Sequence, residues 1–187
     1  GHQDRKYLID LIADKEITVV HFVPSMLTIF LEQADVESCR TLRLVFCSGE
    51  VLPLNLTERF FSRSDAALHN LYGPTEAAID VTYWACVRES SLSTVPIGRP
   101  IANTQIYILD FNREPLPVGV VGEIYIGGDG LARGYLNRPD LTAENFIPNP
   151  FSTNPNSRLY RTGDLAKYRA DGNIDFLGRY DHQLKLR

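Results

Sequence analysis

Ile17-Thr18-Val19-Val20-His21-Phe22-Val23-Pro24-Ser25 is a β-branched run stopped by a proline and followed by a hydroxyl residue. Proline cannot donate to a strand ladder, so the strand ends there. Ser25 is then placed to cap a helix whose apolar face is Met26, Leu27, Ile29, Phe30 and Leu31. Working outward, the same alternation returns. Leu42 to Cys47 reads as a buried strand ended by Ser48-Gly49-Glu50. Pro53 to Ser62 reads as a helix with Leu54, Phe60 and Phe61 apolar, and Ala67 to Leu71 as a strand broken by Gly73-Pro74. A β-α-β-α-β order of short strands predicts a parallel sheet with helices packed across it.

Past the strand-like Val81 to Val87 the pattern changes. Gln105 to Leu109 and Glu123 to Ile126 flank the connection Pro115-Leu116-Pro117-Val118-Gly119, and Leu165 to Arg169 and Asn173 to Gly178 flank Asp171-Gly172. Both of those last two residues tolerate positive φ, which marks a hairpin turn. Short strands between turn clusters predict a small antiparallel, barrel-like module. The fold class is therefore α/β: a parallel βαβαβ portion over 1–95, then the barrel-like module over 96–180.

Composition narrows the function. With 44% apolar and 22% charged residues in 187, the chain can bury a core without staples, so disorder and fibrous structure are excluded. A net charge of −4 leaves no basic surplus to neutralise phosphates, which argues against a nucleic-acid partner. Cys39, Cys47 and Cys86 lack metal spacing and read as buried thiols of a reducing compartment. No run is long enough for a membrane span and no leader is visible, so a cytoplasmic location is expected. Gly1-His2 lacks a Met and Lys185-Leu186-Arg187 ends inside an alternation, so the chain is expected to be part of a larger domain.

Ligands of open parallel sheets bind beyond the carboxyl ends of the strands. Here those ends are His21-Phe22-Val23-Pro24, Cys47-Ser48-Gly49-Glu50 and Asn70-Leu71-Tyr72-Gly73-Pro74-Thr75-Glu76. The last offers Tyr72 to stack on a base, Thr75 to bond a phosphate and Glu76 to hold a divalent cation. A Gly-Pro turn with Thr75 or Glu76 capping a helix fits the same spacing. In Tyr160-Arg161-Thr162-Gly163-Asp164-Leu165, Asp164 can accept from a ribose diol, or can form an Asx-turn into the next strand. Gly127-Gly128-Asp129-Gly130-Leu131-Ala132-Arg133-Gly134 misses the dinucleotide fingerprint, and Arg133-Gly134-Tyr135-Leu136 reads as a bend. His21 lies on an apolar strand and reads as a core histidine, whereas Ser48-Gly49-Glu50 is no nucleophile elbow. Arg179, Asp181, Gln183, Lys185 and Arg187 alternate like the charged face of an edge strand.

Four runs together resemble successive core motifs of nonribosomal peptide synthetase adenylation domains. They are Asn70 to Glu76, Gly122 to Leu136, Tyr160 to Leu165 and Gly178 to Arg187, in the family's order. The resemblance implies a partial adenylate-forming enzyme core that joins ATP and an amino acid into aminoacyl-AMP, with release of pyrophosphate. The acyl group then passes to the phosphopantetheine of a peptidyl carrier domain, beside a condensation domain. It also implies roles: Tyr72 and Gly73 against adenine, Asn70 on its exocyclic edge, and the backbone of Gly49 and Glu50 lining the same slot. Thr75 meets the α-phosphate and Glu76 ligates Mg²⁺. Asp164 holds the ribose with Arg179 nearby, and Phe176 stands where the family often has Tyr. Asp181 is the hinge, so 181–187 open a C-terminal subdomain, with Lys185 on the strand after it. The family's phosphate loop and catalytic lysine would lie outside the chain, so the chain alone is expected not to adenylate.

The same resemblance assigns the amino-acid pocket to His21, Phe46, Ser48, Leu71, Ile79 and Asp80. Polar His21, Ser48 and Asp80 among apolar walls resemble the serine-activating pattern, although His21 and Asp80 bonding each other or the backbone would account for them too. Rival readings are an acyl- or aryl-CoA ligase of the same superfamily, and a non-catalytic binding module that kept the fold.

Overall fold

The computed structural model describes residues 5–88 and 92–180. The chain divides into two compact units, Gly1–Leu71 with Trp84–Val95 and Tyr72–Tyr83 with Pro96–Arg187.

In the first unit, α1 (Arg5–Asp14), β1 (Val19–Phe22), α2 (Pro24–Leu31), β2 (Leu44–Cys47), α3 (Leu54–Arg63) and β3 (Ala67–Tyr72) follow the predicted alternation. β2 is central and pairs in parallel with β1 (Phe22 opposite Cys47) and with β3 (Cys47 opposite Asn70). Side chains alternate across a strand, so Phe22, Val45, Cys47 and Leu68 share one face. There they bury against Leu27, Phe30 and Leu31 of α2 and Leu56 and Phe60 of α3. The other face carries His21, Phe46 and His69 side by side in register.

The start of α2 differs from the expectation. Val23 is the N-cap and Pro24 the first helical residue, because a fixed φ and a missing N–H suit that position. Ser25 is thereby pushed into the first turn. Its N–H donates to Glu50 Oε2 at 3.1 Å and its hydroxyl to Oε1 at 3.2 Å, so a carboxylate from the loop after β2 serves the positive helix end. At the other end, Arg63 of α3 donates to the carbonyls of Leu31 (2.6 Å), Gln33 (2.6 Å) and Ala34 (3.0 Å) and pairs with Glu37.

The second unit contains an antiparallel sheet built from β6 (Thr104–Leu109), β7 (Gly122–Gly128), β8 (Phe146–Pro148), β9 (Arg158–Tyr168) and β10 (Ile174–Arg179), after the short pair of β4 (Thr82–Ala85) with β5 (Arg99–Pro100). The order is β10-β9-β7-β6, with β8 also on β9. The antiparallel module expected after the parallel portion is present, without closure: the order runs from β10 to β6 and, among the described residues, does not return on itself. Alternation alone reveals which residues face inward, whereas closure requires the two end strands to find each other. Ile106, Ile108, Ile124, Ile126, Ala166 and Ile174 form the core. Gly172, at φ 80°, turns the predicted β9–β10 hairpin. A short helix, α4 (Pro139–Asn145), was not foreseen. The expected hinge at Asp181, and Lys185 with it, lie outside the described residues.

Candidate functional site

β9 is longer than its sequence pattern and takes in the Tyr160 to Leu165 motif, so Asp164 stands within a strand and not in an Asx-turn ahead of one. The strand accommodates Gly163, at φ 74°, by bulging. Between the pairs Glu123–Leu165 and Tyr125–Arg161, β9 carries more residues than β7. A bulge re-aims side chains locally. Here the Asp164 carboxylate receives the Tyr72 hydroxyl at Oδ2 (2.5 Å) and Arg179 Nη1 at Oδ1 (2.8 Å). Arg179 is opposite Asp164 in the β9–β10 register, and Phe176 of β10 lies 5.8 Å from the Tyr72 ring. Burial, and then the neighbouring carboxylate, holds the Tyr72 phenol well above its ordinary range, so it keeps its proton and donates. Tyr72, Asp164 and Arg179, from three separate motifs, are thus brought together with Phe176.

The loop after Tyr72 closes on itself. Val81 N–H donates to Tyr72 O at 2.7 Å, and Ala77 and Ile79 N–H both donate to Pro74 O. Ala78 and Ile79 take φ of 59° and 76°. For β-branched Ile79 this is a costly conformation, of the kind that surrounding structure must enforce. Gly73 is required by proximity: a Cβ there would lie 2.3 Å from Ile79 O. Ile79 is 61% exposed, Asp80 is half-buried, and Thr75 is exposed at the start of a single 3₁₀ turn whose N-cap is Pro74, so neither Thr75 nor Glu76 caps it.

Glu76 has company that the sequence did not advertise. The Tyr135 hydroxyl donates to Glu76 Oε1 at 2.8 Å and lies 3.4 Å from the Tyr160 hydroxyl. Burial is the main force that raises both phenols above their ordinary range. Tyr135, read from sequence as part of a bend, is fixed by its N–H on Thr142 Oγ1 at 2.9 Å, one turn into α4. No group of three or more His, Cys, Asp or Glu among the described residues could hold a metal by itself. Mg²⁺ suits this arrangement, since it commonly takes one carboxylate, substrate phosphates and water.

In the first unit, His21 is exposed at the end of β1, which corrects the core reading. Its Nε2 shares a hydrogen bond of 2.8 Å with buried Ser48 Oγ. Phe46 lies beside His69 at 5.5 Å, and burial lowers the His69 pKa. Leu71 is half-buried and Asn70 buried near the end of β3. Gly49 turns with φ 83°, while the Glu50 side chain is engaged at the start of α2. Cys47 and Cys86 are raised to about 12, chiefly by burial, which fits unreactive thiols.

Residues 1–136 match the AMP-binding enzyme family. Over its whole length the chain is 52% identical to the phosphinothricin tripeptide synthetase PhsB of Streptomyces viridochromogenes, of which it spans 16%. Among solved structures, the nonribosomal peptide synthetase FmoA3 superposes with a TM-score of 0.86 at 32% identity, covering 94% of this chain and 19% of that one. An artificially fused adenylation–PCP di-domain from Klebsiella oxytoca, NpsA-ThdA, also gives 0.86, at 29% identity over 98% of this chain and 34% of its own.

Proposed function

The chain belongs to the AMP-binding enzyme family, and from that premise we propose that it forms part of an amino-acid-activating adenylation domain. ATP and an amino acid, L-serine on this reading, give aminoacyl-AMP and pyrophosphate. The acyl group then passes to phosphopantetheine on a peptidyl carrier domain, beside a condensation domain of the same assembly. The observation that carries the proposal is the convergence of Tyr72, Asp164, Phe176 and Arg179. An aromatic ring beside a carboxylate matches the base and the ribose hydroxyls of a nucleoside.

The chemistry asks little of acid–base groups. An amino-acid carboxylate is already ionised at neutral pH, so its attack on the α-phosphorus needs no general base. Rate then comes from in-line positioning and from charge stabilisation as pyrophosphate leaves. Tyr72 presents its ring to adenine, with Asn70 on the exocyclic edge, and Asp164 accepts from the ribose hydroxyls. Thr75 donates to the α-phosphate. When bound, Mg²⁺ would neutralise phosphate charge, and Glu76 is the residue that would hold it. Tyr135 steadies that carboxylate from one oxygen.

For substrate choice, the His21–Ser48 pair provides polar groups at a strand end, which supports a hydroxyl-bearing amino acid. A site that hydrogen-bonds a hydroxyl rejects an analogue lacking it by about 10⁴-fold or more. Carrier-domain partnership is supported by the adenylation–PCP neighbour. No described helix is long and apolar enough to cross a membrane. We place the activity in the reducing cytoplasm on the free thiols of Cys39, Cys47 and Cys86.

The test is amino-acid-dependent ATP–pyrophosphate exchange by the full protein that carries this chain. Serine is expected to give the highest rate in a panel of amino acids. Preference for threonine, glycine or an apolar residue overturns the substrate assignment. Exchange driven by fatty or aryl acids instead, with transfer to coenzyme A, favours the ligase reading, and nucleotide binding without exchange overturns the enzymatic one.

A further inference from the structure

We propose that Glu123 is a positioning residue for the Asp164 carboxylate, acting through the bulge of β9. The inference rests on the reading of Asp164 as the ribose contact, and it assigns to Glu123 a role that its place in a strand does not disclose. Glu123 is on β7, opposite Leu165, at the point where the β7–β9 register breaks. Its side chain is only 16% exposed. Oε1 accepts the Gly163 N–H at 3.0 Å, and Arg161 Nε approaches both carboxylate oxygens, at 3.0 and 3.1 Å.

The Gly163 contact is the informative one. A residue in a bulge loses its place in the ladder, so its N–H needs another acceptor. Glu123 supplies it, and the backbone on either side is pinned as well. The Thr162 hydroxyl donates to Ile124 O at 2.8 Å and accepts the Asp164 N–H at 2.9 Å. Gly163 O in turn receives the Tyr180 N–H at 2.8 Å. The three residues 162–164 therefore have their conformation set by Glu123 and Ile124 of β7, by the Thr162 hydroxyl and by the Tyr180 N–H, and Asp164 is delivered at the angle where Tyr72 and Arg179 meet it. Arg161 balances the Glu123 charge, which would otherwise be costly so close to the core.

The experiment reads ribose recognition, which general destabilisation does not change selectively. Affinities of the full protein for ATP, 2′-deoxy-ATP and 3′-deoxy-ATP are measured by calorimetry, and the deoxy-to-ribo Kd ratios are compared. Asp164→Ala is expected to collapse the ratios towards one. Glu123→Asp keeps the charge for Arg161 but withdraws the acceptor by one methylene, and the ratios should fall about tenfold, the equivalent of one hydrogen bond to a charged group. Glu123→Gln keeps a carbonyl oxygen within reach of Gly163 and is expected to retain most of the discrimination. Ratios that survive in Glu123→Asp while they collapse in Asp164→Ala overturn the positioning role and leave the ribose reading intact. Ratios unchanged in Asp164→Ala overturn both. Should Glu123→Asp fail to fold, Glu123→Gln decides: a full loss of discrimination there shows that charge, and not the Gly163 contact, matters, and refutes the proposal.

Discussion

Adding one methyl group at Gly73 tests whether the loop from Tyr72 to Val81 is as tightly determined as its geometry indicates. A Cβ on Gly73 would lie 2.3 Å from Ile79 O, 2.8 Å from Ile79 C and 2.9 Å from Asp80 Cα. All three are backbone atoms, so no rotamer change relieves the clash. The loop must open, and it is closed by Val81 N–H on Tyr72 O at 2.7 Å. Overpacking of this kind costs about 1–3 kcal/mol, and a lost backbone hydrogen bond adds about 1 kcal/mol. Gly73→Ala should thus destabilise by about 3 kcal/mol, or roughly 6–12 °C in the melting temperature of a domain this size. Gly130→Ala is the control, because its nearest neighbour, Ala77 O, is 3.4 Å away. There the stiffer unfolded chain should leave stability unchanged or raised by up to about 1 kcal/mol. Urea denaturation of both variants and of the parent protein gives the comparison, with ATP affinity as a second readout. If Gly73→Ala matches Gly130→Ala within about 0.5 kcal/mol and binds ATP normally, the close approach is not a constraint and the reasoning fails.

Arg63→Met keeps the aliphatic stem but removes the donors serving Leu31, Gln33 and Ala34 carbonyls, and should cost about 2–4 kcal/mol in urea unfolding; Arg63→Lys, which cannot fork, should recover only part of it. Burial lowers the His69 pKa in the folded chain, so the unfolded chain binds the proton more readily. The His69 contribution to stability is then complete above the ordinary imidazole range, about pH 6.5, and lost progressively as the pH falls below it. His69→Gln should flatten that acid limb in denaturation curves taken between roughly pH 7 and 5, and an unaltered slope would count against the assignment. Cys47 and Cys86, with thiols raised to about 12, should resist iodoacetamide at about pH 8 until denaturant is added, which mass spectrometry of the alkylated protein can read.

How far the sequence disclosed the molecule depended on the range of the forces involved. The strand–helix alternation of the first unit was legible because it is local: β-branched runs, a proline stop and an apolar helical face each lie within a few residues. Even there the cap was misplaced, since Pro24 claimed the first helical position and the carboxylate that serves Ser25 comes from Glu50, on another loop. The strand order of the antiparallel sheet was not legible, because strand period gives the facing of residues and not the partner of the last strand. The site followed the same rule. Tyr72 and Asp164 announced themselves by residue type within motifs, but their hydrogen bond joins positions 92 residues apart. Tyr135 meets Glu76 across 59 residues and Glu123 meets Gly163 across 40, and neither pairing leaves a trace in local spacing. The only signal available for Glu123 was a charged residue on an otherwise apolar strand, Glu123 to Ile126, where burial demands a partner. A carboxylate in that setting is therefore better read as holding a distant piece of backbone than as a tolerated surface charge, and Gly163 is the piece it holds.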